Sequence, residues 1–417
     1  MKASRVAVVS FPGNNCEVES LRAIKNAGME AVYFRWNDDH AKLKDIDGYF
    51  IPGGFSYEDR GRSGMVAARD PLMKFLSDEA AKGKTIIGNC NGAQTLVESG
   101  LIPLDRGLHM SLARNAIEEN GTWTGVGFLN EWVWIKPSDR SRCATSDWNG
   151  VMHLPIAHGE GRFTTRDPDL IKELKKNKQI AFEYCDENGN VSTDPIVTPN
   201  GSMFAIAGIC NPAGNVVALM PHPERTPNGA PYFAALKRWI EKGKKPSSPG
   251  STYEWKWEVP GREAKDVEIF IDTIITNNEE HTVEQAAHRI APKLSLKQWK
   301  YITLGSGSHE SVLKQLGHFN PNKERAYVRL KGTLHRWNNE AKKIEPLTED
   351  QVQELFSGIS LLRRDIPDTG APAFGKGSET GICYTCRNVT EKDLKKSALL
   401  EVFANPHAST LERMSDL

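Results

Sequence analysis

A buried-strand pattern that ends at a cysteine constrains the fold of this chain most strongly. The sequence TIIGNCNGAQ at residues 85–94 contains an apolar run, then Cys90, and a helical pattern follows at once. A strand that turns sharply into a helix holds such a side chain at the tip of the turn, and Gly88 and Gly92 let the backbone turn without a Cβ clash. The helix N-terminus there favours the thiolate. Cys90 is therefore a candidate nucleophile, and a buried structural cysteine is the alternative.

Length, charge and cysteine content limit the class of protein. The chain has 417 residues, too many for one ordinary core, so two domains are expected. Lys+Arg and Asp+Glu number 53 each, so net charge gives no reason to expect a nucleic-acid or membrane partner. No apolar run reaches membrane-spanning length, and no signal peptide is recognised at the N-terminus. Seven scattered cysteines favour a reducing, cytoplasmic setting over a disulfide framework.

Strands and helices alternate along the first hundred residues. This order predicts an α/β domain with a doubly wound sheet, in which sites form at the carboxyl ends of the strands. The turn at residues 52–54 and Cys90 both follow strands, so we expect them to meet at one edge of the sheet. The strand patterns are residues 6–9, 31–34, 49–51 and 85–87, and the helical patterns are residues 21–27 and 65–81.

The pattern changes further along the chain. Residues 132–135 predict an antiparallel strand by their aromatic and β-branched content. Further strands are predicted at residues 180–184, 204–211 and 216–220, and a closing helix at residues 232–241. We therefore assign residues 1–243 to the first domain, residues 244–252 to a linker by composition, and residues 253–417 to a smaller α+β domain.

The second domain gives fewer signals. Residues 267–275 predict a strand, and Thr282 with Gln285 and Thr348 with Gln351 predict capping boxes at two helix starts. No internal repeat is visible in the sequence.

Cys383 and Cys386 form a lone C-x-x-C pair in this domain. A structural zinc site needs two more ligands, so no metal is predicted, and whether the pair binds anything stays open.

A cysteine nucleophile needs a base and a group that orients the base. His222 follows a buried strand, and Glu224 is expected to point to the same side of an extended segment and to hold the imidazole. Acyl transfer also needs donors aimed at a developing oxyanion, which the N–H groups near Gly54 and of Asn91 can supply. The alternatives are a surface histidine, a solvated carboxylate and a simple glycine turn.

Taken together, three motifs resemble those of class I, triad-type glutamine amidotransferases: PGGFSY at residues 52–57, GNCNGAQ at 88–94 and MPHPER at 220–225. Three others resemble the glutaminase subunits of phosphoribosylformylglycinamidine synthase in particular. These are FPGNNC at residues 11–16, AHGEGRF at 157–163 and IAGICN at 206–211. The resemblance covers about the first 240 residues and implies the flavodoxin-like doubly wound fold of that class.

The resemblance also implies roles for individual residues. Cys90 would attack the side-chain amide of glutamine, His222 would transfer the proton, and Glu224 would orient His222. The amides of Gly54 and Asn91 would form the oxyanion hole. The substrate would be held by Gly53, Gln94 and His158, and for His158 a purely structural turn is the alternative.

The implied partners act in purine biosynthesis. Ammonia would pass to the large synthase subunit, which uses ATP and Mg²⁺, and some organisms have a small bridging subunit as well. This chain has no Gly-rich Lys-Ser/Thr phosphate loop, so no cofactor is expected in it. The strand–helix–strand order predicted for residues 267–304 resembles that small subunit, and the role of residues 253–417 stays open.

The sequence also departs from the family at a few positions and leaves alternatives. A bulky aromatic is usual at Ala93 and a small residue at Glu58, and residues 138–150 form an unusual loop. These departures affect the glutamine pocket and partner fit rather than the triad. Another cysteine hydrolase or deglycase on a related fold, and a docking or regulatory module, are the other interpretations.

Overall fold

The computed structural model describes residues 3–243 and 258–415. The chain divides into two compact units, Met1–Trp255 and Lys256–Leu417. The predicted linker at residues 244–252 and the predicted start of the second domain at residue 253 lie outside the described residues. Within the two described ranges, no helix is long and apolar enough to cross a membrane.

The first unit is an α/β structure. Its strands are β1 (Arg5–Ser10), β2 (Glu30–Arg35), β3 (Gly48–Ile51), β4 (Thr85–Asn89), β5 (Ser111–Arg114), β6 (Ala116–Glu119), β7 (Thr122–Gly125), β8 (Leu129–Pro137), β9 (Met152–His158), β10 (Glu160–Thr164), β11 (Ile180–Cys185), β12 (Ile206–Cys210) and β13 (Val216–Leu219). Its helices are α1 (Glu17–Asn26), α2 (Met65–Ala68), α3 (Pro71–Ala81), α4 (Asn91–Glu98), α5 (Pro168–Lys176) and α6 (Ala230–Lys242).

Nine strands of this unit form one sheet in the order β2-β1-β3-β4-β13-β12-β11-β8-β9. Neighbours from β2 to β13 pair in parallel, and the pairs from β13 to β9 are antiparallel. The parallel half has the flavodoxin-like order, so the predicted fold class is confirmed. The antiparallel strand predicted at residues 132–135 is confirmed as part of β8.

Both faces of the sheet are covered by apolar cores. Val6 and Val8 belong to one core, whereas Ala7 and Val9 belong to the other. Successive side chains of a strand point to opposite faces, so a strand buried on both sides must be apolar throughout. This explains the continuous apolar runs. Because the strands from β2 to β13 run parallel, their carboxyl ends meet at one edge of the sheet.

One helix prediction needs correction. Residues 65–81 form two helices, α2 and α3, rather than one. Pro71 occupies the first turn of α3, and Asp70 accepts a hydrogen bond from the Leu72 N–H as its cap. A residue before proline is disfavoured in helical conformation, so α2 cannot run through Asp70 into α3.

The second unit is an α+β structure. Its strands are β14 (Gly261–Arg262), β15 (Val267–Thr273), β16 (Ser295–Thr303), β17 (Glu324–Leu330), β18 (Thr333–Asn338), β19 (Lys343–Pro346), β20 (Ile359–Asp365), β21 (Glu379–Arg387) and β22 (Ser409–Met414). Its helices are α7 (Asn278–His288), α8 (His309–Leu313), α9 (Glu349–Phe356) and α10 (Ser397–Phe403).

These strands form a sheet in the order β14-β22-β20-β21-β16-β15-β17-β18-β19. Around the antiparallel pair β16–β21, the order on one side is β16-β15-β17 and on the other β21-β20-β22. In each half, the strand that comes first in the sequence lies between the two strands that follow it in the sequence. The fold carries a repeat of strand order that the sequence does not reveal.

The two predicted capping boxes in this unit had different outcomes. The box at Thr348 and Gln351 is confirmed at the start of α9. The box at Thr282 and Gln285 is wrong, because α7 begins earlier and Asn277 caps it by accepting from the Glu280 N–H. Thr282 lies inside the helix and bonds back to the Asn278 carbonyl.

The second unit contains a buried charge pair whose loss should destabilise it. Glu268 accepts hydrogen bonds from the Tyr301 hydroxyl at 2.7 Å and from Arg329 Nε at 2.5 Å, and both Glu268 and Arg329 are buried. Glu268→Gln removes the negative charge that faces Arg329. We expect the free energy of unfolding of this unit to fall by about 3 kcal/mol.

Chemical denaturation monitored by hydrogen exchange in peptides from residues 258–415 measures this change. Glu310→Gln, which breaks an exposed pair with Lys314, is the control and should leave the unfolding midpoint unchanged. An unchanged midpoint for Glu268→Gln would show that the buried pair does not stabilise the unit.

Candidate active site

The predicted sharp turn at Cys90 is present between β4 and α4. Cys90 has φ 50° and ψ −108°, a left-handed conformation that is rare outside glycine. A Cβ on Gly92 would lie 2.0 Å from the Ile51 carbonyl oxygen, and one on Gly88 would lie 2.4 Å from the Gly92 oxygen. Both glycines are therefore required by close backbone contacts, and the turn holds the thiol at the carboxyl end of the sheet.

His222 lies just beyond β13, next to the end of β4. Its backbone N–H donates to the Pro155 carbonyl at 2.9 Å, and its side chain is fully buried. Nδ1 lies 2.5 Å from Glu224 Oε1, so the predicted pairing of these two residues is present. The extended segment predicted between them is wrong, because Pro223–Arg225 forms a 3-10 turn. That turn folds the carboxylate back onto the ring.

Electrostatics favour the charged forms of this pair. Burial opposes the charge on His222, but the Glu224 carboxylate and the Cys90 and Cys16 thiols raise its pKa well above 6.5. Burial likewise opposes the charge on Glu224, yet His222 and donors that include Asn89 hold its pKa below the ordinary value. Both shifts favour the form in which the imidazole is protonated and Glu224 is ionised.

Cys16 is a second buried cysteine at the site. A Cβ on Gly53 would lie 2.6 Å from His222 Cε1 and 3.1 Å from Cys16 Sγ, so Gly53 packs directly against the ring. Cys16, His222 and Glu224 offer ligand atoms within 4.8 Å of one another. The Arg225 guanidinium donates to Cys16 Sγ at 2.9 Å, and its positive charge opposes a cation there.

The loop that carries Gly54 lies against residues 13–16. Gly54 has φ 142°, and a Cβ there would lie 2.5 Å from Asn14 Cα, so only glycine fits. The N–H groups of Asn15 and Cys16 donate to the Gly53 carbonyl, which fixes the loop. Asn91 is the first residue of α4, and the first N–H groups of a helix have no partner inside it.

Gln94 and Asn91 bond to each other and to two acidic residues, Asp59 and Glu160. Asn91 Nδ2 donates to Gln94 Oε1 at 2.9 Å and to Asp59 Oδ1 at 3.1 Å, and Gln94 Nε2 donates to the Glu160 carbonyl. Burial, and then the charge of Glu160, raise the pKa of Asp59 to about 7. Glu58 has φ 58°, a conformation that favours glycine.

His158 is buried at the end of β9. Burial, followed by the nearby charge of His222, lowers the pKa of His158 to about 3, so it is neutral. A Cβ on Gly161 would fall within 2.6 Å of three ring atoms, so the ring packs on the bare backbone of Gly161. Neither ring nitrogen has a hydrogen-bond partner within the described residues.

Sequence reasoning missed four residues that contact the predicted ones directly or through one another. Asn89 and Tyr232 lie behind Glu224, and Cys16 and Arg225 lie beside His222. Asn89 carried a detectable signal, because it is a polar residue in a strand that is otherwise buried and apolar. Cys16 and Arg225 are 209 residues apart, and their contact has no local pattern.

A cysteine on a strained turn, a buried His–Glu pair and two glycine-shaped loops meet at the carboxyl edge of a doubly wound sheet. This fold and site define the class of triad-type cysteine enzymes. A family model described as a CobB/CobQ-like glutamine amidotransferase domain matches residues 3–248. The chain belongs to that family.

Curated relatives match the same share of the chain. The phosphoribosylformylglycinamidine synthase subunit PurQ of Methanothrix thermoacetophila is 42% identical over 250 residues, which is 59% of this chain and 92% of the relative. The subunit of the same name from Pyrococcus furiosus is 37% identical, covering 57% of this chain and 98% of the relative. That of Chlorobium chlorochromatii is 40% identical, covering 55% and 92%.

Among solved structures, that of PurLQS from Thermotoga maritima has a chain 31% identical to this one. The match covers 57% of this chain and 99% of that chain, with a TM-score of 0.45.

The pairing of His222 with Glu224 makes a prediction about pH. Glu224→Gln removes the largest charge that raises the pKa of His222, while burial continues to oppose the charged ring. The His222 ring should therefore lose its proton at a lower pH in the variant than in the wild type. NMR titration of the labelled imidazole measures this difference.

Glu241→Gln removes a carboxylate from the exposed side of α6 and should leave the titration of His222 unchanged. An unchanged titration of His222 in Glu224→Gln would show that another group supports its charge.

Proposed function

We infer that this chain is the glutaminase component of a phosphoribosylformylglycinamidine synthase, which hydrolyses glutamine to glutamate and ammonia. The main support is the Cys90 turn beside the His222–Glu224 pair, in a chain that is 42% identical to a phosphoribosylformylglycinamidine synthase subunit. A protein with no catalytic activity would not require the thiol, the base and the orienting carboxylate together.

In the first half of the reaction, Cys90 Sγ attacks the side-chain amide carbon of glutamine. A carbon–sulfur bond forms, and the carbonyl electrons move to oxygen, where the N–H groups of Gly54 and Asn91 stabilise the negative charge. His222 holds the thiol proton and gives it to the amide nitrogen. The carbon–nitrogen bond then breaks, and ammonia leaves a glutamyl thioester on Cys90.

In the second half, water attacks the thioester. His222 accepts a proton from the water and returns it to the Cys90 sulfur as glutamate leaves. Nδ1 is occupied by Glu224, so Nε2 must carry the transferred proton, and Nε2 is not hydrogen-bonded within the described part of the chain. Glu224 keeps the ring in this orientation through both steps.

The substrate pocket is assigned to the side of α4 that carries Gln94. Glutamine has an α-ammonium group. The Asp59 carboxylate, which accepts from Asn91 next to Gln94, and the Glu160 carboxylate near Asp59 can attract that charge. Gly53, which packs against the His222 ring, would border the substrate pocket. His158, which is neutral and packed on Gly161, would shape the pocket wall rather than bind charge.

Ammonia would pass to a separate large synthase subunit, where ATP and Mg²⁺ drive formation of formylglycinamidine ribonucleotide. A small bridging subunit is a further partner in enzymes that have one. The setting proposed for this pathway is the cytoplasm. The relatives that this chain matches are named as synthase subunits, which supports a further synthase subunit as the partner.

A stand-alone cysteine hydrolase or deglycase is the competing function. The identity to synthase subunits across 92% to 98% of their length favours the amidotransferase. Docking or regulation is an additional role that the second unit could perform.

Cys90→Ala separates a catalytic thiol from a structural one. We expect glutamine-dependent synthesis by the chain and its synthase partner to fall at least about a thousandfold, because the covalent route is lost. Ammonia-dependent synthesis should persist, since it bypasses Cys90. Cys185→Ala, at another buried cysteine of the same unit, is the matched control and should retain both activities. Loss of both activities in Cys90→Ala would make Cys90 structural.

Labelling by a glutamine-like diazo ketone tests the pocket itself. Mass spectrometry of the full chain should find one adduct on Cys90. Cys16 is also at the site, so the modified peptide must be identified to distinguish Cys90 from Cys16. The reaction is run with and without the synthase subunit, to show whether the partner completes the site. No adduct in either sample, with the synthase shown to bind, would favour the hydrolase or scaffold interpretation.

A further inference from the structure

The two oxygens of Glu224 have different partners. Oε1 lies 2.5 Å from His222 Nδ1, and Oε2 accepts a hydrogen bond from Asn89 Nδ2 at 3.2 Å. Asn89 Oδ1 in turn accepts from the Tyr232 hydroxyl at 3.1 Å. A continuous row of hydrogen bonds therefore runs from α6, through the last residue of β4, to the base of the site.

Every member of this row is excluded from water. Tyr232, Asn89 and His222 are 0% exposed and Glu224 is 3% exposed. A buried carboxylate oxygen that loses its donor cannot recruit solvent in its place, so each of these bonds matters more than a surface bond would. Asn89 directly precedes Cys90, so the same strand end positions the nucleophile and the carboxylate.

The Tyr232 hydroxyl determines which way the Asn89 amide points. An amide has a donor end and an acceptor end, and only the NH₂ end can serve a carboxylate. Burial raises the pKa of Tyr232 well above its ordinary value, so the hydroxyl keeps its proton and can donate to Oδ1. With Oδ1 engaged by that donor, Nδ2 must face Glu224.

We propose that Asn89 and Tyr232 are positioning residues that hold Glu224 in the orientation and ionised form that the His222 base requires. This inference rests on the proposed glutaminase function. Neither residue touches the substrate in this scheme. They act through Glu224, Tyr232 by fixing Asn89 and Asn89 by donating to Oε2.

The surroundings of Glu224 define what a pH experiment would report. Its titratable and charged neighbours are His222, Arg225 of its own turn, Cys16 ahead of α1, Arg22 of α1 and Tyr232 of α6. Loss of the Asn89 donor leaves all five in place. It removes one stabiliser of the carboxylate, so the pKa of Glu224 rises and its charge is lost at a higher pH.

The test compares Asn89→Leu, Tyr232→Phe and the double variant in the complex of the full chain with its synthase subunit. We expect Asn89→Leu to lower kcat/KM for glutamine about tenfold to a hundredfold, mainly in kcat, as loss of a bond to a charged group does. The acid limb of the pH profile should move up by about one pH unit. Tyr232→Phe should do the same to a smaller degree.

The double variant tests whether Tyr232 acts through Asn89, an arrangement that we call a relay, or whether the two residues affect the reaction independently. If Tyr232 acts only through Asn89, adding Tyr232→Phe to Asn89→Leu should change kcat/KM by less than about twofold. Full multiplication of the two single effects would overturn the relay. An acid limb at the wild-type pH in a folded Asn89→Leu variant would overturn the positioning role of Asn89.

A matched control shows what the loss of a buried asparagine does at a position away from Glu224. Asn215 is also a buried asparagine, with bonds to the carbonyls of Ala80 and Lys84, and Asn215→Leu should leave the acid limb in place. Tyr232→Phe retains the ring and keeps the test available if Asn89→Leu does not fold. Diazo-ketone labelling of Cys90 in the wild type checks the proposed function separately, so failure of the relay and failure of the glutaminase assignment remain distinguishable.

Discussion

The contact between Glu224 and His222 is the interaction on which the rest of the site depends. Two ionisable groups buried this deeply would ordinarily both be uncharged, because removal from water opposes the charge on each of them. Here the carboxylate has donors on both oxygens and the ring packs against the bare backbone of Gly53. The strand ends, the 3-10 turn and the glycine loop are the means by which the fold keeps that pair charged and fixed.

The parallel half of the sheet could be predicted because its causes are local. A strand buried on both faces must be apolar throughout, as in β1, and the glycines around Cys90 are required by backbone contacts within a few ångströms. The errors arose where two local signals competed. Pro71 divides a continuous helical pattern, and Asn277 caps α7 ahead of the equally plausible Thr282.

The site was predictable where one motif carries both partners and hidden where partners come from distant segments. His222 and Glu224 are two residues apart, so their pairing could be inferred, although the 3-10 turn that creates it could not. Asn89 and Glu224 are 135 residues apart. Only the pairing of β4 with β13 brings them together, and that register is a property of the whole sheet.

The location of these residues limits what the second unit can contribute. Every side chain assigned to the chemistry, from Cys16 to Tyr232, belongs to the first unit, whose described residues end at 243. The second unit has its own sheet, its own apolar clusters and the buried Glu268–Arg329 pair. Because the residues proposed for proton transfer and oxyanion stabilisation all lie in the first unit, we expect the second unit to act through binding of a partner or through assembly.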